Sequence, residues 1–167
     1  MRLAAFLSGR LILVASVLLL LTVPAWGTDT PTDRATLKGI TEVKVVVETI
    51  DPNVERHGLT QSQLRTDVEL RLRHSGITVD STSHYILYVN VNTARTGGGI
   101  YAYNIEVSFG QAVMLLRDPQ TVLNVVPTWS VGSVGTIRAN RLPNVQSRVI
   151  DYVDKFIAAY LEQNPRQ

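Results

Sequence analysis

Residues 84–116 read HYILYVNVNTARTGGGIYAYNIEVSFGQAVMLL. In the first half, Tyr85, Leu87, Val89 and Val91 alternate with Ile86, Tyr88, Asn90 and Asn92. In the second, Tyr101, Tyr103, Ile105, Val107 and Phe109 alternate with Ala102, Asn104, Glu106 and Ser108. A period of two places the two sets on opposite faces of a strand. Gly97, Gly98 and Gly99 between the halves supply the positive-φ backbone of a tight reversal. The stretch therefore reads as a long β-hairpin with one apolar face and one face rich in Asn, Glu and Ser. An antiparallel sheet with a dry side and a wet side follows.

Working toward the N-terminus, Ile40–Ile50 reads as a strand with Val43, Val45 and Val47 on one side and Lys44 and Glu48 on the other. Asp51-Pro52-Asn53 ends it. Thr60–Ser75 reads as a helix with Leu64, Val68 and Leu72 on one stripe, a Thr60/Gln63 capping box and Gly76 just past its end. Ile77-Thr78-Val79 then gives a short strand. Toward the C-terminus, Asp118-Pro119-Gln120 reads as a turn and Thr121–Ile137 as the last strand. Leu123, Val125, Trp129 and Val131 share one parity there, and Gly132 and Gly135 mark a bulge or frayed end. Pro143 opens a final helix carrying Val145, Val149, Val153, Phe156, Ile157 and Tyr160. The order β-α-β-β-β-β-α predicts an α+β two-layer sandwich. Its sheet is largely antiparallel, of four to five strands, with both helices on one face.

Residues 1–27 read as a signal peptide, with an uncleaved membrane anchor as the alternative: Arg2 and Arg10 precede the apolar run Leu11–Leu21, which is short for a spanning helix, and Ala25-Trp26-Gly27 offers a cleavage site. Residues 28–37 are expected to form a flexible polar arm and 38–165 a single domain. The chain has 16 basic and 14 acidic residues. The signal holds two of the arginines and no acid, so the mature chain carries 14 of each. A near-neutral balance gives no electrostatic case for nucleic acid, or for an anionic membrane after signal cleavage. With no cysteine, the exported chain has neither disulfides nor a lipoprotein anchor. The expected location is the periplasm, or the outside of the cell, as a soluble protein.

The chemistry is sparse. His57, His74 and His84 are not spaced as metal ligands. Ser133 lacks the Gly-x-Ser-x-Gly order and the following helix of a nucleophile elbow. Gly97–Gly99 lacks the Gly-Lys-Ser/Thr ending of a phosphate loop. Glu48 and Glu106 share the wet face without a spacing that defines an acid–base pair. Neither catalysis, cofactor nor metal is expected. Asn90, Asn92, Asn104 and Glu106 on the wet face, with Tyr101, Tyr103 and Trp129, are the candidate binding residues. The tyrosines also fit the end of the core, with their hydroxyls in water.

Gly58-Leu59-Thr60, Tyr88-Val89-Asn90-Val91-Asn92, Thr128-Trp129-Ser130 with Val134-Gly135, and the helix ending Asn164-Pro165 resemble a group of uncharacterised secreted bacterial proteins. More distantly, the strand–helix–meander–helix order is similar to small domains of envelope-assembly factors such as the lipopolysaccharide-assembly and curli-secretion lipoproteins. The resemblance implies an exported α/β domain and transfers no catalytic motif. The leading expectation is a non-catalytic periplasmic binding or envelope-assembly module. It would engage another envelope protein through its open sheet face or an edge strand. The alternative is a small-molecule or lipid carrier, with its site between helices and sheet near Tyr101, Tyr103 and Trp129. A hydrolase of unfamiliar design, using Ser133, is the third.

Overall fold

The computed structural model describes residues 27–165. The signal peptide expected over 1–27 lies outside the described residues except for Gly27. The hairpin is β4 (Ile86–Gly97) and β5 (Ile100–Leu115), paired from Ile86↔Gly110 to Gly97↔Ile100. Gly97, Gly98 and Gly99 all hold positive φ at the reversal. β6 (Asp118–Arg138) returns antiparallel along the whole of β5. β2 (Glu42–Val47) lies on the other side of β4, and the two-residue strands β3 (Thr78–Val79) and β1 (Gly27–Thr28) form the sheet edges.

The order across the sheet is β1-β6-β5-β4-β2-β3. Six strands replace the expected four to five, and the sheet is mixed, since β2 runs parallel to both β3 and β4. Parallel neighbours need a crossover, and the helix after β2 supplies it. Alternation along β2 predicts its buried face but is blind to the direction of its neighbours. β1 is too short to show any period.

The helices are α1 (Pro31–Ala35), α2 (Pro52–Glu55), α3 (Gln61–His74) and α4 (Asn144–Gln163). The residues expected as a flexible arm hold β1 and α1. Thr30 and Asp33 form a reciprocal capping box, and Pro31 occupies the first turn. Leu37 is fully buried, and Asn164 clamps this segment from α4 through Gly39 N and the Leu37 carbonyl. In α3, Thr60 accepts from Gln63 N, but the Gln63 amide turns to Asp67, so only half of the expected box forms.

α3 and α4 cover one face, and their stripes join the inward residues of β2, β4, β5 and β6 in a single core. Phe156 is at its centre, with ring contacts to Phe109 at 5.8 Å, Trp129 at 5.4 Å and Tyr160 at 6.2 Å. Arg71 of α3 makes a bidentate bridge to Asp154 of α4, both contacts at 2.6 Å.

Two details of β6 depart from expectation. Its ladder with β5 is regular from Trp129 to Arg138, so Gly132 and Gly135 mark no bulge. A Cβ on Gly135 would stand 2.6 Å from the Tyr103 hydroxyl, so the glycine makes room for that ring. The register shifts instead lie at Phe109/Gly110, Gln111/Val113 and Met114/Leu115. The first two lie between Trp129 and Leu123, and Leu123 and Val125, expected on the face of Trp129, are both exposed.

Candidate functional site

The face of the sheet away from α3 and α4 is built in cross-strand rows. Asn90 pairs with Glu106 and then Gly132. Asn92 pairs with Asn104 and then Val134, and Tyr88 with Ser108, Ser130 and Thr28. Four of the expected binding residues, Asn90, Asn92, Asn104 and Glu106, therefore form one contiguous polar patch. β1 borders it, and Thr28, Ser130, Asn104 and Glu106 line a shallow groove of about 640 Å³. Asn90 Oδ1 is buried and has no hydrogen-bond partner among the described residues.

The other three do not join this patch. Tyr101, Tyr103 and Trp129 are on the helix-covered side and belong to the core. Trp129 is 0 % exposed. Its Nε1 donates to Asp29 Oδ1 at 2.7 Å. Arg34 holds the same carboxylate through two contacts and reaches Glu162 of α4 at 2.7 Å. Burial works against the charge on Asp29, but the bonds from Arg34 and Trp129 outweigh it and keep the carboxyl below its ordinary pKa.

On the patch, the Tyr88 hydroxyl donates to Glu48 Oε2 at 2.5 Å. That bond, reinforced by burial and by the charges of Glu48 and Glu106, pushes the phenol up to about 12. Tyr88 is thus a fixed neutral donor at any physiological pH. Among the described residues no group of His, Cys, Asp and Glu is placed to hold a metal ion. The Ser133 hydroxyl is buried and has no hydrogen-bond partner there. None of the described helices is long and apolar enough to cross a membrane.

A feature beyond the expected residues is the far end of β5–β6. β4 ends opposite Gly110, and β1 pairs with β6 only at Ser130 and Val131. From Gln111 to Val126 the two strands continue as a ribbon with no strand of the described residues on either side. Gln111 anchors its root, donating to Thr128 Oγ1 at 2.9 Å and to the Thr36 carbonyl at 3.2 Å. Met114, Leu116, Val122, Leu123 and Val125 are exposed along it, Leu116 at 99 %. Val113-Met114-Leu115-Leu116 and Val122-Leu123 are apolar on both parities, and that was the sequence signal. Such a run ordinarily marks a strand buried on both faces. At the root, beside the free edge of β5, a recess of about 580 Å³ is lined by His84, Ile86, Ala112, Asn124 and Val125, among others.

No family model and no curated protein sequence matches the chain. Among solved structures, a PelC dodecamer from Paraburkholderia phytofirmans is similar over 81% of this chain and 95% of its own. It shares 14% identity at a TM-score of 0.42. A minor lipoprotein from Acinetobacter baumannii is similar over 76% of this chain and 88% of its own, with 11% identity and a TM-score of 0.27.

Proposed function

We propose that the protein is a non-catalytic binding or assembly module of the cell envelope, working in the periplasm. Its partner is another envelope protein, which contributes an extended segment to the free edge of β5 beyond Gly110. The carrying observation is the ribbon of residues 111–126, with unpaired strand edges and apolar side chains on both faces. A two-stranded ribbon is marginal in water by itself. Exposed flat edges are usually blunted by charge or covered, and this one has only Arg117 and Asp118, at its tip. An incoming strand beside Gln111–Leu115 would satisfy the backbone and pass over the recess at His84 and Ile86, as in strand addition generally. The polar patch around Asn90, Asn104 and Glu106 lies on the same sheet beyond that recess and would fix register.

The test is site-specific photo-crosslinking in the native periplasm, with the probe at Met114. A discrete adduct with one envelope protein, lost when Ala112→Lys charges the edge, supports the reading. An adduct of equal yield from a probe at Glu69 on α3 would overturn it. A stoichiometric small molecule on the purified protein, with no protein adduct, would put a carrier in its place.

A further inference from the structure

At the opposite end of the sheet, beside the glycine reversal, α2 and the loop after it face the ends of β4 and β5 across a cleft of about 350 Å³. Arg56 and His57 come from the α2 side, Thr93 and Arg95 from β4, and Tyr101 from β5. We infer that this cleft is a binding site for a phosphate group.

The charge arrangement carries the inference. The four ion pairs of the described residues join Arg34, Arg71 and Arg73 to acids on the helical side and at the N-terminal segment. The Arg95 guanidinium has no hydrogen-bond or ion-pair partner among the described residues. Arg56 donates only to the Asn53 side chain, which orients it without neutralising it. The one acid lining the cleft, Asp51, keeps its charge but is held at the start of α2. Its carboxylate caps α2, accepting from Asn53 N at 2.7 Å and from the Asn53 amide at 2.9 Å. A smaller recess of about 280 Å³ on the far side of Gly99 and Ala139 is lined by Arg138 and Arg141, again with no acidic partner described. Ala139 N bonds the Gly99 carbonyl at 2.8 Å, tying the segment after β6 to the glycine reversal. Among the described residues, four arginines without an acidic partner thus lie at this end of the sheet.

The donor set selects the anion. Residues able to donate line the cleft from three elements: Arg56 and His57 on the α2 side, Thr93 and Arg95 on β4, and Tyr101 on β5. His57 stands edge-on to Tyr101 with ring centroids 6.1 Å apart. A carboxylate offers two coplanar oxygens and is satisfied by one guanidinium fork. A phosphate presents oxygens in several directions and uses donors converging from different sides. The site is open to water, so screening limits it to millimolar affinity for a free ion. The source of the phosphate, a free metabolite or a lipid headgroup, is a separate question that the same experiment answers.

The measurement is a two-dimensional amide NMR titration of the mature protein with sodium phosphate at fixed ionic strength. A parallel arm uses vesicles of phosphatidylglycerol against phosphatidylcholine. Saturable shifts confined to residues 53–57, 93–101 and 139 are expected, weakened at least tenfold in Arg56→Ala/Arg95→Ala. Both arginines are exposed, so the double variant keeps its melting temperature. Signal loss with phosphatidylglycerol vesicles alone, also dependent on Arg56 and Arg95, assigns the phosphate to a lipid. Shifts that do not saturate, that spread equally to Arg65 and Arg148, or that survive in the double variant overturn the proposal, as does no response in either arm.

Discussion

The indole Nε1 of Trp129 donates to the Asp29 carboxylate at 2.7 Å, tying the start of the described chain to the centre of β6. Asp29 is shared with Arg34, and Trp129 is packed on Phe156, so this one bond links the N-terminal segment to the core. Asp29→Ala strands a buried indole N–H and is expected to cost roughly 1–3 kcal/mol in chemical denaturation, the usual penalty for an unsatisfied buried donor. The effect depends on pH with a definite sign. The folded carboxyl titrates below its ordinary 3.8, so as pH falls the unfolded chain takes up the proton first. The stabilisation is complete above the ordinary value and is lost as pH falls through the lower folded one. The wild-type advantage over Asp29→Asn should therefore hold from neutral pH to about pH 4 and shrink as pH falls further. A constant difference would show that the charge on Asp29 plays no part.

Tyr88 gives the opposite sign at the other end of the scale. Its hydroxyl bond to Glu48 holds the phenol at about 12 against an ordinary 10.0. The stabilisation from that bond is present below pH 10 and disappears as pH rises toward 12. Ultraviolet titration of the six tyrosines should show a late-ionising group. Glu48→Gln should bring it down toward the ordinary value, because the acceptor charge is removed. Tyr160 also titrates high through burial, so Tyr88→Phe identifies which late step belongs to Tyr88.

Gly135 and Tyr103 face each other across β5–β6. A side chain at 135 would meet the Tyr103 ring at 2.6–3.0 Å. Gly135→Val should destabilise by about 1–3 kcal/mol, the cost of overpacking a fixed site. In the Tyr103→Leu background the same substitution should be markedly cheaper, since Leu leaves the space open and Val is a good strand residue. Equal costs in the two backgrounds, measured as a double-mutant cycle, would show that the ring and the glycine are not coupled.

The hairpin was legible because its alternation is strict and its glycines are consecutive. The stripes of α3 and α4 were legible for the same reason, and Leu64, Val68, Val149 and Phe156 are buried as their spacing requires. The patch of Asn90, Asn92, Asn104 and Glu106 followed from parity alone. The parallel pairing of β2 did not, because the side-chain period of a strand is the same in either orientation. α1 carried a readable signal in Thr30, Pro31 and Asp33, hidden by a polar composition that looks like a free arm. The exposure of Leu123 and Val125 is not legible along β6, because it comes from the ribbon running past the described neighbouring strands and outside the core, with two register shifts between Trp129 and Leu123. Shifts of that kind leave no mark in alternation. The basic cleft was invisible in sequence: Arg56, Arg95 and Tyr101 meet only once β4, β5 and α2 are placed together.

The ribbon itself makes a final physical prediction. Beyond Gln111 its side chains lie outside the core, and among the described residues its amides are held by one neighbouring strand at most. Local opening should therefore be far easier there than in the central sheet. In hydrogen exchange of the isolated protein, amides of residues 113–123 should exchange orders of magnitude faster than those of Val89, Ile105 and Val107. Met114→Thr, Val122→Thr and Leu123→Thr should each change folding stability by no more than about 0.5 kcal/mol, as for surface sites without packing. Those substitutions should also raise solubility, because they divide the largest run of exposed apolar side chains. Slow exchange along the ribbon, or a large stability loss on substitution, would mean that it is already covered in the isolated protein, and the edge of β5 would then not be free to accept a strand.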